Sequence, residues 1–172
     1  MRKLAYAVIV LLCGMLTIPA AVGRIKEKMH VGEMPPDYLG RDIEGNEVRL
    51  SAEPGKVTVI TFWATWCGPC LREIPVLEAA QEIAGRDRLR VVAINFAESK
   101  STFKRVSDDF GHFKLTFVYD ARGTVANRFG IDAIPHMYMV NKRGEIAKIR
   151  VGYGENSIKD LTDSLNALMV EK

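Results

Sequence analysis

The sequence predicts an α/β domain with a central mixed sheet, and four stretches carry the prediction. Val57–Ala64 is an apolar, β-branched and aromatic run bounded upstream by Pro54-Gly55, and reads as a strand buried on both faces. Leu89–Phe96 (LRVVAINF) is a second run of that kind. Between them Ile74, Leu77, Ala80 and Ala84 recur at helical steps up to Gly85, as in an amphipathic helix packed on a sheet. His136–Val140 and Ile146–Val151, joined by the turn Asn141-Lys142-Arg143-Gly144, supply an antiparallel ending.

The chain has 172 residues, 48% of them hydrophobic, which suits one globular domain with a short appendage, divided here as 1–28 and 29–172. The net charge of +3 misleads. Residues 1–28 hold five basic residues and one acidic, a net +4, so the remainder carries −1 and no basic face for nucleic acid is expected.

Met1-Arg2-Lys3 followed by the uncharged Leu4–Val22 has the layout of a signal sequence or an N-terminal membrane anchor, which implies an exported domain. Ala21-Val22-Gly23 is a small-x-small cleavage candidate. The length of the apolar run favours retention or slow cleavage, while Arg24, Lys26 and Lys28 beyond it argue mildly against a retained span. Cys13 reads as an ordinary apolar residue of this segment, because a lipoprotein site usually has a small residue where Leu12 stands. That leaves Cys67 and Cys70 in the domain.

From Met29 the chain is expected to form a tether. Its prolines, Pro35 and Pro36, exclude a helix, and Tyr38-Leu39 and Val48-Arg49-Leu50 then flank the turn Asp42–Asn46 as a β-hairpin. Beyond Phe96, Phe103, Val106 and Phe110 mark a helix between Ser99 and Gly111. A short strand, Leu115–Tyr119, and a short helix, Thr124–Phe129, follow. The last helix is expected to be capped by Ser157, with Asp160 three residues on, and to turn Ile158, Leu161, Leu165 and Leu168 inward.

The chemistry is concentrated at Cys67-Gly68-Pro69-Cys70, where the strand hands over to the helix. The spacing lets a disulfide close. A helix N-terminus favours a thiolate on the first sulfur, below the ~8.5 of a free cysteine, so Cys67 is the expected nucleophile and Cys70 the resolving thiol. The competing use is half of a zinc site, but tetrahedral structural zinc wants four ligands and the domain has no second cysteine pair.

Phe62-Trp63-Ala64-Thr65-Trp66-Cys67-Gly68-Pro69-Cys70, with Pro75 five residues beyond, resembles the active site of a thioredoxin-fold protein. Together with the export signal, Pro35-Pro36-Asp37 and the hairpin, it resembles the TlpA/ResA-like extracytoplasmic thiol-disulfide oxidoreductases over about Gly32–Leu168. The resemblance implies a three-layer fold with helices on both faces of the sheet, an N-terminal hairpin and a central helix–strand insertion. It also implies a cis bond at Ile134-Pro135 beside the disulfide. A client could then pair with the Ile134 backbone and be met by Trp66, Gly68, Pro69, Pro135 and Gly152, the last a glycine that lets the backbone come near.

Two positions depart from or follow the family in how the thiols are tuned. Where thioredoxins carry a buried aspartate, six residues before the nucleophile, this chain has Thr61, which cannot ionise. Glu73 matches the glutamate of the family's Cys-x-x-Glu-x-Pro pattern and is implied as the base for Cys70. By spacing alone it could equally be a solvated first-turn acid. His136 stands where the family more often has a small hydroxyl residue, and strand alternation points it away from Pro135.

The expected function is an extracytoplasmic thiol-disulfide oxidoreductase, periplasmic or on the outer membrane face, acting as a reductant without a cofactor beyond the Cys67–Cys70 disulfide. Gly68-Pro69 resembles reducing thioredoxins, near ~−270 mV, rather than oxidants near ~−120 mV. The family implies an exported disulfide protein as substrate, such as an apocytochrome c, and a membrane thiol donor of the CcdA or DsbD type. The alternative is an exported copper chaperone with two cysteines and a histidine, although those use a wider cysteine spacing.

Overall fold

The computed structural model describes residues 28–171. The expected leader or anchor, its cleavage candidate and Cys13 lie outside the described residues. Among the described residues no helix is long and apolar enough to cross a membrane.

Among these residues seven strands form one sheet in the order β2-β1-β5-β4-β3-β6-β7. The middle is parallel: β3 (Val57–Trp63) pairs with β4 (Leu89–Phe96), and β4 with β5 (Thr116–Asp120). Parallel neighbours need crossovers, supplied by α1 (Gly68–Ala84) and α2 (Lys100–Asp109). On one side β6 (His136–Val140) joins β3 antiparallel and β7 (Ile146–Val151) joins β6. On the other, β1 (Tyr38–Asp42) joins β5 antiparallel and β2 (Glu47–Arg49) completes the hairpin. The inserted β5 is thus what attaches the N-terminal hairpin to the sheet.

Every residue of β3 is buried, as its unbroken apolar run predicts. Its odd positions, including Val59 and Trp63, enter a core with Ile74 and Leu77 of α1, Phe103 of α2 and Leu161, Leu165 and Leu168 of α4 (Ser157–Val170). Even positions, Ile60 and Phe62, face Val125 and Ala126 of α3 (Thr124–Arg128), Phe129 and Tyr138. Helices therefore cover both faces, and the expected thioredoxin-like layering is present.

Gly40 permits the hairpin to lie on β5. Its φ is +122°, and a Cβ there would stand 2.4 Å from Val118 Cγ1. The tether is docked rather than free: Gly32 N–H donates to the Ile146 carbonyl and Ile146 N–H to the Glu33 carbonyl, both at 2.8 Å. This covers the start of edge strand β7.

The last helix differs from expectation at its start. Ser157 is its first residue, not its cap; the cap is Asn156, and the Ser157 hydroxyl instead accepts from Gly154 N–H at 2.7 Å. Ile158 is 52% exposed, whereas Leu161, Leu165 and Leu168 are buried. The inward stripe begins one turn later than the periodicity suggested. In α1 the stripe contains an unexpected member, Gln81, whose Oε1 accepts from the Val91 N–H of β4 at 2.7 Å and whose Nε2 donates to the Lys114 carbonyl at 3.2 Å.

Candidate active site

β3 ends at Trp63, and the loop Ala64–Trp66 turns the chain into α1. Cys67 is the N-cap: its Sγ accepts from the Cys70 backbone N–H at 3.3 Å. Pro69 occupies the first turn, where its missing N–H removes no helical bond. Cys67 and Cys70 form a disulfide with their Cα atoms 5.2 Å apart. Cys67 is 5% exposed and Cys70 is fully covered, while Trp66 is 69% exposed and Gly68 is exposed beside it. Of the two cysteines, only Cys67 keeps any exposure.

One turn beyond Cys70, Glu73 is 2% exposed and accepts a hydrogen bond from the Thr61 hydroxyl of β3 at 3.0 Å. This placement decides against the solvated-acid alternative. Burial pushes the Glu73 carboxyl up to about 7, against the opposing pull of the Thr61 hydrogen bond and of the Arg150 charge. An acid poised there exchanges its proton near neutral pH. The residue that cannot ionise, Thr61, holds the one that can.

Ile134-Pro135 is a cis peptide, as expected. Pro135 is buried, and Ile134 is half-buried against the core cluster that contains both cysteines. The Pro135 carbonyl accepts from Gly152 N–H at 2.8 Å. Gly152 has φ +83° with open space where a Cβ would be, so backbone conformation, rather than close approach, explains a glycine there. His136 stacks on Tyr138, with ring centroids 4.9 Å apart, on the face of the sheet opposite the disulfide. Among the described residues no three His, Cys, Asp or Glu side chains group as metal ligands.

Glu98 escaped the sequence reading. It lies just beyond β4, and its carboxylate accepts from Thr65 N–H at 2.7 Å, Thr65 Oγ1 at 2.6 Å and Asn95 Nδ2 at 2.7 Å. The loop that delivers Cys67 is thereby tied to the next strand. The available signal was positional: in α/β sheets the carboxyl ends of adjacent parallel strands converge on the site, and Glu98 follows β4 as Cys67 follows β3.

Comparison with known proteins agrees with this geometry. Residues 30–167 match the Redoxin family model. The thiol-disulfide oxidoreductase ResA of Geobacillus thermodenitrificans is 34% identical over 129 residues, 74% of this chain and 72% of the relative. The sporulation thiol-disulfide oxidoreductase A of Bacillus subtilis is 27% identical over 154 residues, covering 88% and 92%. Among solved structures, StoA of Bacillus subtilis aligns with TM-score 0.58 at 26% identity, over 73% of this chain and 93% of its own. A thioredoxin-family thiol:disulfide interchange protein of Chlorobium tepidum aligns with TM-score 0.70 over 82% and 99%, at 21% identity, a likeness of fold. With its paired cysteines at the head of α1 and this fold beneath them, the chain belongs to the Redoxin family, as a thiol-disulfide oxidoreductase of the ResA type.

Proposed function

We propose that this protein is an extracytoplasmic reductant of disulfides in exported proteins, an apocytochrome c among the candidate clients. The observation that carries the reading is the buried Glu73 one turn behind the Cys67–Cys70 pair. Strong oxidants of this fold are oxidising because their reduced form is stabilised as a thiolate. A carboxylate close to the thiols works against thiolate, removes that stabilisation and favours giving electrons away.

In the forward reaction the Cys67 thiolate attacks one sulfur of the client disulfide, and the other client sulfur leaves as a thiolate and takes a proton. Cys70 then passes its proton to Glu73 and attacks Cys67 Sγ. The Cys67–client bond breaks, the second client sulfur leaves as a thiolate and takes up a proton from solvent, and two electrons have moved to the client as the Cys67–Cys70 disulfide forms. Trp66, Gly68, Pro69, Ile134, Pro135 and Gly152 form the surface that receives the client. A dithiol donor of the CcdA or DsbD type in the membrane re-reduces the pair, and residues 4–22 direct export or hold the domain at that membrane.

The test joins potential and client. Equilibration against glutathione should place the couple nearer ~−270 mV than ~−120 mV. Expressed in cells, Cys70→Ala should accumulate a mixed disulfide through Cys67 that mass spectrometry identifies. A potential near the oxidising end, or a trapped partner that is cytoplasmic, overturns the reading.

A further inference from the structure

Strand register draws a line from Thr61 to the sheet edge. Thr61 stands opposite Met137 of β6, and Met137 opposite Arg150 of β7. Residues paired across strands share a face, so Arg150 projects to the side of the sheet that α1 covers, where Met137 packs in the core with both cysteines. Its guanidinium Nη1 is enclosed and has no hydrogen-bond partner among the described residues. A buried cationic nitrogen without a partner is costly unless an anion lies near.

The anion at hand is Glu73, whose carboxylate has Thr61 as its side-chain hydrogen-bond donor and feels Arg150 through space. Its surroundings can be taken element by element. β3 presents Thr61, β6 the apolar Met137 and β7 Arg150; on its own helix Cys70 lies one turn earlier, and the neighbouring Arg72 is exposed. Lys148, the other cation on this face of β7, donates to Ser164 of α4, and His136 lies across the sheet.

We propose that Arg150 is a positioning residue for proton transfer, the electrostatic partner that keeps Glu73 ionised when Cys70 must give up its proton. The mechanistic consequence rests on Glu73 being the base, as proposed above. Burial alone drives Glu73 toward the acid form, and the Thr61 hydrogen bond and, beside it, the Arg150 charge oppose it. Without that charge the carboxyl would hold its proton at neutral pH. The proton of Cys70 would have no acceptor, and the mixed disulfide would resolve only at higher pH.

The experiment reads Glu73 directly, by carbon-13 NMR of its carboxyl in the oxidised full chain between pH 5 and 9, alongside single-turnover resolution of a mixed disulfide. In Arg150→Met the carboxyl midpoint should rise by about one pH unit or more, and the resolution profile should move to alkaline pH with it. Arg150→Lys should return both toward wild type. A carboxyl midpoint unmoved in Arg150→Met overturns the inference. A midpoint that moves while the resolution profile stays leaves Arg150 as the partner of Glu73 and removes Glu73 as the base. Should Arg150→Met not fold, the wild-type Arg150 Nε resonance provides the test. It should inflect at the Glu73 midpoint and lose that inflection in Glu73→Gln; a flat trace overturns the inference.

Discussion

The Thr61 hydroxyl donates to Glu73 Oε2 across 3.0 Å inside the core, joining the middle of β3 to α1 one turn beyond Cys70. The bond gives a neutral residue of β3 a part in the protonation of the site. A hydrogen bond to the charged form favours that form, so Thr61 and Arg150 together restrain the rise that burial imposes on Glu73.

Glu73 makes stability depend on pH in a defined direction. Its folded value, about 7, lies above the ordinary 4.5, so the folded state holds the proton more tightly. Its contribution is complete below pH 4.5 and is lost as pH rises from there through 7, by up to ~3 kcal/mol in the oxidised protein. Denaturant titrations at pH 4.5, 6 and 8 should show that decline, and Glu73→Gln should flatten it. Parallel slopes in the two proteins would mean that Glu73 ionises as a solvated acid.

The two sulfurs should separate by chemistry. In the reduced protein limited iodoacetamide should label Cys67 ahead of Cys70, because Cys67 retains slight exposure and Cys70 none. Cys67→Ser should abolish disulfide reduction, and Cys70→Ser should stop at a stable adduct on Cys67. Mass spectrometry of labelled peptides and of the adduct checks both. Equal labelling or sustained turnover contradicts the assignment.

Glu98→Gln removes one of the two carboxylate oxygens that hold Thr65 and Asn95. The expected cost is about 1–3 kcal/mol, with faster hydrogen exchange at the Thr65 amide than at amides of β3. Unchanged stability together with unchanged Thr65 protection would show that the loop before Cys67 is held by other contacts.

Gly40→Ala should destabilise the hairpin–sheet junction by about 2 kcal/mol, because its Cβ meets Val118 Cγ1 and its φ lies in the left-handed half of the map. Adding Val118→Ala relieves the clash and leaves the backbone strain, so the double variant should lose less than the sum of the two single losses. Strict additivity by chemical denaturation would place Val118 clear of the new methyl.

What the sequence determined alone is local and covalent. The unbroken apolar run of β3, the caps and breakers around α1 and the two cysteines at its head follow from hydrophobic period, from the φ demands of glycine and proline, and from spacing, all of which act over a few residues. The tertiary structure alone decided how distant positions share one environment. Glu73 could have been a surface acid until α1 was laid on the sheet against Thr61, and Arg150 gains its place only from the register of β7 on β6. Glu98 carries no motif, and reaches Thr65 because β4 lies beside β3. Ile158 kept the helical period yet stayed exposed, because period specifies a stripe and only the extent of the partner surface specifies how far it is covered. Burial and charge proximity, the quantities that tune the thiols, are sums over neighbours distant in sequence, and pairing patterns along the chain do not contain them.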